Sequence, residues 1–219
     1  MALSKAKKPG ITLSELIVAM ALLTVILALC TNLFVSSFHR LQMTNAMQDA
    51  QNNAIVGLDR FTRDFRETTK QSVVYYKDSS HQYIYFPSPR DRNGVFHQAP
   101  NGFIEWSTWI AYYMIRDPNF ASQGQQGEPT YLLARRQQDI LDKKLTNTPA
   151  FDWNSINGAE IAAKNAVQFN ITSVQLSEYM VTYEVSLHTK REYKGKAYTY
   201  QAERFISIRD RLQPIYLDY

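Results

Sequence analysis

A mainly apolar stretch of twenty residues runs from Leu16 to Val35, and it contains no charged side chain. As an α-helix, a stretch of this length spans about 30 Å, the thickness of the hydrocarbon core of a membrane. Its clearly polar members are Thr24, Thr31 and Asn32. Length and lack of charge together predict a membrane-spanning helix rather than a buried helix of a soluble protein.

A second pattern follows, in which apolar residues recur at intervals of three and four. These residues are Met43, Met47, Ala50, Ala54, Leu58, Phe61 and Phe65. The spacing predicts that the helix continues to about Thr68 and carries one apolar face, which we expect to pack against the rest of the chain. Most charged residues here are predicted to lie elsewhere around the helix: Arg60, Arg63, Asp64 and Arg66.

Beyond residue 70 the chain changes to short runs in which apolar and polar residues alternate. Residues 179–188, a polar tip at Lys194-Gly195 and a second run at 197–208 predict a long hairpin over residues 178–209. Further strands are predicted at 72–76, 82–86, 103–115, 131–136 and 167–172. Because no helical pattern separates the strands, we expect antiparallel pairing. The predicted fold class is α+β: a long N-terminal helix, first transmembrane and then amphipathic, packed on an antiparallel β-sheet head.

Composition and charge limit the possible functions. The 219 residues, of which 45% are hydrophobic and 20% charged, suffice for one globular domain and one accessory element. Three of the 24 basic residues lie in the first ten, and the others closely balance the 20 acidic residues. Nucleic-acid binding by the molecule as a whole is therefore not expected. The single cysteine, Cys30, lies in the apolar stretch, which excludes an internal disulfide or a thiolate metal cluster.

A basic leader precedes the apolar stretch, where Lys7-Lys8-Pro9-Gly10 is followed by residues 11–16, Ile-Thr-Leu-Ser-Glu-Leu. This junction resembles the class III leader of type IV pilins and pseudopilins. The resemblance implies that a prepilin peptidase cuts after Gly10, that Ile11 becomes the N-methylated first residue, and that Glu15 is the acidic fifth residue. It also implies partners: other minor and major subunits and an inner-membrane assembly platform.

The position of Glu15 also has a physical consequence of its own. A carboxylate at the rim of a spanning segment is costly in lipid, so it must reach the interface or acquire a cationic partner. The family resemblance implies that this partner is the N-terminal ammonium of a neighbouring subunit. The alternative is an interfacial glutamate without a role in assembly. The resemblance departs at Asn32, where many pilins carry a helix-bending proline, so the pattern does not predict a kink there.

A second, shorter resemblance covers residues 58–66, Leu-Asp-Arg-Phe-Thr-Arg-Asp-Phe-Arg. This stretch resembles the minor pseudopilin J family of type II secretion systems and the related pilus minor pilin W. The resemblance implies a place near the filament tip, and Glu15 implies a place below the tip-most subunit, which typically lacks this acid. A solvated charged face opposite a core stripe explains the same residues without a partner.

These patterns divide the chain into a cleaved leader (1–10), a transmembrane half-helix (11–36), an amphipathic half-helix (37–70) and a β-rich head (71–219). Three leader lysines and few basic residues just after the span predict a cytoplasmic N-terminus and a periplasmic or extracellular head. A second interpretation keeps the N-terminus uncleaved and treats the chain as a signal-anchored binding or sensor domain. A lipoprotein site at Cys30 is disfavoured, because the preceding Leu29 is not small.

The sequence offers few residues for other chemistry. The four histidines are dispersed, so neither an enzyme nor a metal site or cofactor is predicted. Residues 91–94, Asp-Arg-Asn-Gly, contain a fragment of a calcium-binding pattern but are more typical of a turn. Residues 190–196, Lys-Arg-Glu-Tyr-Lys-Gly-Lys, combine basic residues with an aromatic one, as in some nucleic-acid sites. A solvated hairpin tip is the commoner explanation, so nucleic acid is an unlikely partner.

Overall fold

The computed structural model describes residues 12–69, 72–77, 82–118, 130–140, 145, 149–177 and 180–209. One helix, α1 (Leu13–Phe65), precedes seven strands. The strands are β1 (Val74–Lys77), β2 (Gln82–Ser88), β3 (Thr108–Arg116), β4 (Tyr131–Asp139), β5 (Glu160–Ser177), β6 (Met180–Tyr193) and β7 (Lys196–Arg209). One long helix with a curled antiparallel sheet confirms the predicted α+β, pilin-like fold class.

The described residues fall into two compact units, one up to Asn45 and one from Ala46 onward. In the first unit, the leucine, isoleucine, valine and methionine side chains of α1 are exposed all round the helix. Among the described residues, α1 is the helix that is long and apolar enough to cross a membrane, by length and composition alone. The Thr24 and Thr31 hydroxyls donate to the carbonyls of Met20 and Leu27, both at 2.8 Å, so neither needs water.

The second unit contains the sheet, whose strands pair in chain order from β1 to β7, each antiparallel to the next. The predicted hairpin is confirmed, because β6 and β7 pair from Tyr193–Lys196 to Met180–Arg209. Its turn residues Lys194 and Gly195 have φ of 49° and 73°, as a two-residue type I′ turn requires. The predicted bounds of β1, β2 and β4 were wrong by up to three residues. Larger differences occur in β3, which begins at Thr108 rather than at residue 103, and in β5, which is longer than residues 167–172.

The second half of α1 packs on one face of this sheet. Its buried apolar residues are Ala46, Ala50, Ala54, Gly57, Leu58, Phe61 and Phe65. The Phe61 ring lies at the centre, 4.9–5.4 Å from the rings of Phe65, Tyr112 and Phe169. A Cβ at Gly57 would lie 2.8 Å from the Ala163 Cβ, so glycine permits the close approach of helix and sheet. The predicted apolar face of the helix was wrong at its N-terminal end, because Met43 and Met47 are exposed and Ala46 is buried instead.

A second, smaller apolar cluster covers the opposite face of β2 and β3. It is formed by strand residues that alternate with those facing α1. Trp109 and Ala111 are two of them. The segment before β5 lies over them: Phe151 is buried, and the Trp153 ring stacks on Tyr83 at 4.1 Å. The head's own residues therefore cover both faces of the sheet at β2 and β3.

Candidate processing and assembly site

The candidate site comprises the leader junction and the first turn of α1. Gly10 and Ile11, the predicted processing residues, lie outside the described residues. Thr12 immediately precedes the helix, and its carbonyl accepts the first helical hydrogen bond from the Leu16 amide at 3.1 Å. The helix therefore begins within two residues of the predicted cleavage point, and Glu15 lies in its first turn.

Thr12 and Glu15 cap the helix reciprocally. The Glu15 carboxylate accepts hydrogen bonds from the Thr12 backbone amide at 2.9 Å and from its hydroxyl at 3.0 Å. In return, the Glu15 amide donates to the Thr12 hydroxyl at 3.4 Å. This arrangement is a capping box, which satisfies amides that have no partner inside the helix. We did not predict it, although Thr-x-x-Glu before an apolar run is its sequence signal.

The surroundings of Glu15 suit a carboxylate that changes partner. Thr12 and Glu15 are both exposed, and the hydrogen bonds from Thr12 all reach one carboxylate oxygen, Oε2. A carboxylate has about four acceptor positions, so this one has capacity for a further donor such as an ammonium group. In the chain as described, the acid stabilises its own helix start and remains available for a cation.

A second group of hydrogen-bonded side chains, in the head, fixes the position of the amphipathic half of α1 on the sheet. The Arg135 Nε donates to the Asp64 Oδ2 at 2.5 Å, and the Tyr112 hydroxyl donates to the same oxygen at 2.8 Å. All three residues are buried. Burial, followed by the nearby Asp64 charge, holds the pKa of Tyr112 well above its usual range, so this hydroxyl remains a donor. A buried charge needs such partners, so they fix where α1 lies on β3 and β4.

Asp64 is a residue whose role sequence reasoning missed. It was predicted among the residues mostly outside the apolar face, yet it lies beside Phe65 and under the sheet. Around it, Glu160 accepts hydrogen bonds from Arg60 and, at 3.4 Å, from Arg135. The sequence signal for a buried Asp64 was weak, because an acidic residue next to a core position is equally common on a solvent-exposed helix face.

The loop at Asp91 has the geometry of a turn. One Asp91 carboxylate oxygen accepts from the amides of Asn93 and Val95 at 2.8 and 2.9 Å, and the other lies 3.3 Å from the His97 Nε2. The hydrogen bond from the Val95 amide is the main cause that lowers the pKa of Asp91. Within the described ranges, no three histidine, cysteine or acidic side chains are grouped to hold a metal ion.

Comparison with known proteins supports the interpretation of the leader. Residues 5–31 match the prokaryotic N-terminal methylation motif, an interval that contains Gly10, Ile11 and Glu15. The chain carries the signature of a type IV pilin-like precursor. No curated protein and no solved structure matches the chain.

The match and the structure together describe a membrane-anchored, single-pass protein. The motif ends at Thr31, inside the exposed apolar part of α1. Pilin-like proteins that carry this motif are structural subunits rather than enzymes, and they assemble with other pilin-like subunits. The motif does not extend into the head, so it describes how the chain is anchored and processed, not which machine uses it.

Proposed function

We propose that this protein is a minor pilin or pseudopilin, a structural subunit without catalytic activity that prepilin peptidase cuts after Gly10 and methylates at Ile11. The observation that carries the proposal is the methylation motif over residues 5–31, in register with Glu15 at the start of an exposed apolar helix. On this proposal the leader is cytoplasmic and residues 71–219 form a head outside the inner membrane. On the same proposal, the N-terminal helix has a transmembrane half, 11–36, and an amphipathic half, 37–70.

The finer proposal is a place in a type II secretion pseudopilus or a type IV pilus tip complex, as minor pseudopilin J or minor pilin W. It rests on the Leu58–Arg66 stretch. Phe61 and Phe65 of this stretch lie in the core, while the exposed Arg63 and Arg66 leave charge for neighbouring subunits. The assembly platform and the other subunits are the partners of this proposal.

The capping box gives a physical route from precursor to assembled subunit. Cleavage after Gly10 creates an ammonium group on Ile11, next to Thr12. In a filament, the ammonium of a neighbouring subunit competes with Thr12 for the Glu15 carboxylate, and a charged donor is roughly twice as strong a hydrogen-bond partner as a neutral one. Exclusion of water between packed apolar helices strengthens this pairing further. Glu15 thus serves the precursor as a cap and the filament as a counter-ion.

The test uses two substitutions at Glu15. Glutamine retains the acceptor of a capping box but not the charge, whereas alanine removes both. We expect Glu15→Gln and Glu15→Ala to insert and to be cut normally. Both should lose co-purification with partner subunits by tenfold or more, because each leaves the incoming ammonium unpaired. If Glu15→Gln co-purifies normally and only Glu15→Ala fails, the cap matters and the charge pairing is wrong.

Mass spectrometry of the native membrane protein tests processing separately. The expected N-terminus is N-methylated Ile11. A chain that begins at Met1 would contradict the proposal and favour a signal-anchored binding or sensor domain. Ser14→Ala is the control, since it removes a hydroxyl that lies 3.1 Å from the Thr12 hydroxyl in the same helical turn and leaves the charge of Glu15 in place. It should be processed and assembled like the unchanged protein.

A further inference from the structure

The tip of the β6–β7 hairpin carries a concentration of positive charge that the proposed assembly role does not use. Residues 190–196 contain four basic residues and one acid. Lys190 pairs with that acid, Glu192, at 2.9 Å, while Arg191, Lys194 and Lys196 are exposed. Among the described residues, no atom lies within 4 Å of where a Cβ would stand on Gly195, so the turn projects from the head.

The tip lies at a defined end of the head, because β6 runs antiparallel to α1. Near the start of β6, the Tyr183 ring lies 5.0 Å from that of Phe65. Near its end, the Thr189 hydroxyl donates to the Ala50 carbonyl at 2.6 Å. Residues 190–196 therefore lie at the end of the head where the chain arrives from its apolar segment.

Chain connectivity limits how far this end is from a membrane. The uncharged stretch ends at Val35, and the head unit begins at Ala46 within the same continuous helix. Ten residues, 36–45, join the two. Because this connection is short, anchoring keeps the head at a high effective concentration of the lipid surface. The field of an anionic membrane acts on basic residues within about 8 Å of that surface at physiological salt.

The side chains of the tip have the composition that suits a lipid surface. The Lys194 and Lys196 ammonium groups lie 5.8 and 5.7 Å from the ring centres of Tyr193 and Tyr198. Tyrosine and lysine both place an apolar body and a polar end at a membrane interface. Two further charges are close in register: Lys164 lies two residues before Ala166, which pairs with Thr189, and Asp49 precedes Ala50, whose carbonyl accepts from Thr189. Lys164 adds to the positive charge and Asp49 opposes it. The cluster remains positive.

We propose that this hairpin tip binds the anionic phospholipid headgroups of the membrane that holds the apolar helix. Anchoring favours this partner over nucleic acid, because the helix holds the lipid surface at high effective concentration while the rest of the chain is close to neutral. The contact orients the head before assembly. It depends on membrane anchoring but not on filament formation, so the Glu15 variants leave it unchanged.

The test places a fluorescent label near the tip in the full-length protein. The label is attached at Thr199→Cys, an exposed position on β7, in a Cys30→Ala background, and the protein is reconstituted in vesicles containing headgroup-spin-labelled lipid. We expect about twofold or greater quenching in vesicles with 30% phosphatidylglycerol than in phosphatidylcholine alone. The excess should disappear in about 1 M salt and in the variant Arg191→Glu/Lys194→Glu/Lys196→Glu.

A matched variant and a second label position separate a tip contact from general attraction. Arg63→Glu/Arg66→Glu/Arg92→Glu reverses three cations toward the other end of α1 and should leave the quenching unchanged. A label at Asn93→Cys should show no lipid dependence. Equal quenching in both lipids, or equal loss in both triple variants, would overturn the proposal. Loss of single-stranded oligonucleotide binding in the tip variant, without loss of quenching, would assign the tip to nucleic acid instead.

Discussion

The two parts of helix α1 bury their apolar residues in different ways. Up to Asn45, bulky aliphatic side chains face outward on all sides, and Phe34 is 73% exposed. From Ala46, small residues and two phenylalanines form one stripe against the head's own sheet, and Phe61 is fully buried. Because an exposed apolar surface of this size is unfavourable in water, the first part needs lipid or neighbouring helices, whereas the second part has its cover within the chain.

Polar groups follow the same division. In the first part, Thr24 and Thr31 return their hydroxyls to the helix backbone, which makes them compatible with lipid. In the second part, Asp64 uses side chains of the sheet, Tyr112 and Arg135. One continuous helix thus combines a segment that is complete without protein partners and a segment whose polar groups depend on the head.

The largest expected effect comes from making the same truncation in both parts. Phe61→Ala should lower the free energy of unfolding of the head by about 4 kcal/mol, since it removes a fully buried ring from the core. Phe34→Ala should change it by less than about 0.5 kcal/mol. Chemical denaturation in detergent, followed by tryptophan fluorescence, measures this, because Trp106, Trp109 and Trp153 all lie in the head. Equal losses would contradict the division between the parts.

A slightly smaller effect is expected at the buried charge. Asp64→Ala should cost about 3 kcal/mol in the same measurement, because it leaves Arg135 buried without its closest partner. The control is Asp59→Ala on the same helix, which breaks an exposed pair with Arg204 and should cost less than about 1 kcal/mol. Adding Arg135→Met to Asp64→Ala should recover much of the loss. If the double variant is no more stable than Asp64→Ala alone, the buried pair is not the cause.

Local patterns predicted most of the fold, and contacts distant in sequence account for what was missed. The apolar run and the three-four spacing depend on neighbours in sequence, and so does the alternation in β6 and β7. By contrast, the cover provided by Phe151 and Trp153, and the burial of Asp64, depend on segments far away in the chain. The exposure of Met47 could not be predicted from neighbours in sequence either, because the position of the sheet determines which face of α1 is buried.

The residues of the candidate site were also named from a local pattern. A leader motif is contiguous, so Gly10, Ile11 and Glu15 could be named from the sequence, and the methylation motif covers all three. The Thr12 cap is also local and was visible as Thr-x-x-Glu. The basic hairpin tip was visible as composition, but its location at the end where the chain joins the head required the contact between Thr189 and Ala50.

The smallest expected effect is at the start of the helix and distinguishes the cap from the charge. Thr12→Val keeps the shape of the side chain but removes the hydroxyl that bonds Glu15, at a cost of about 1 kcal/mol confined to the first turn. Hydrogen exchange of the Glu15 and Leu16 amides should become about fivefold faster, while unfolding of the head stays unchanged. Thr12→Ser retains the hydroxyl and should exchange like the unchanged protein.

Assembly of the Thr12→Val subunit sharpens the distinction further. With the cap weakened and the carboxylate intact, Glu15 is freer to meet an incoming ammonium, so co-purification with partner subunits should be retained or raised. The Glu15→Gln subunit shows the opposite combination, an intact cap and no charge. If Thr12→Val loses assembly while Glu15→Gln retains it, the ordered helix start is what neighbouring subunits recognise, and the acid acts through the cap rather than through its charge.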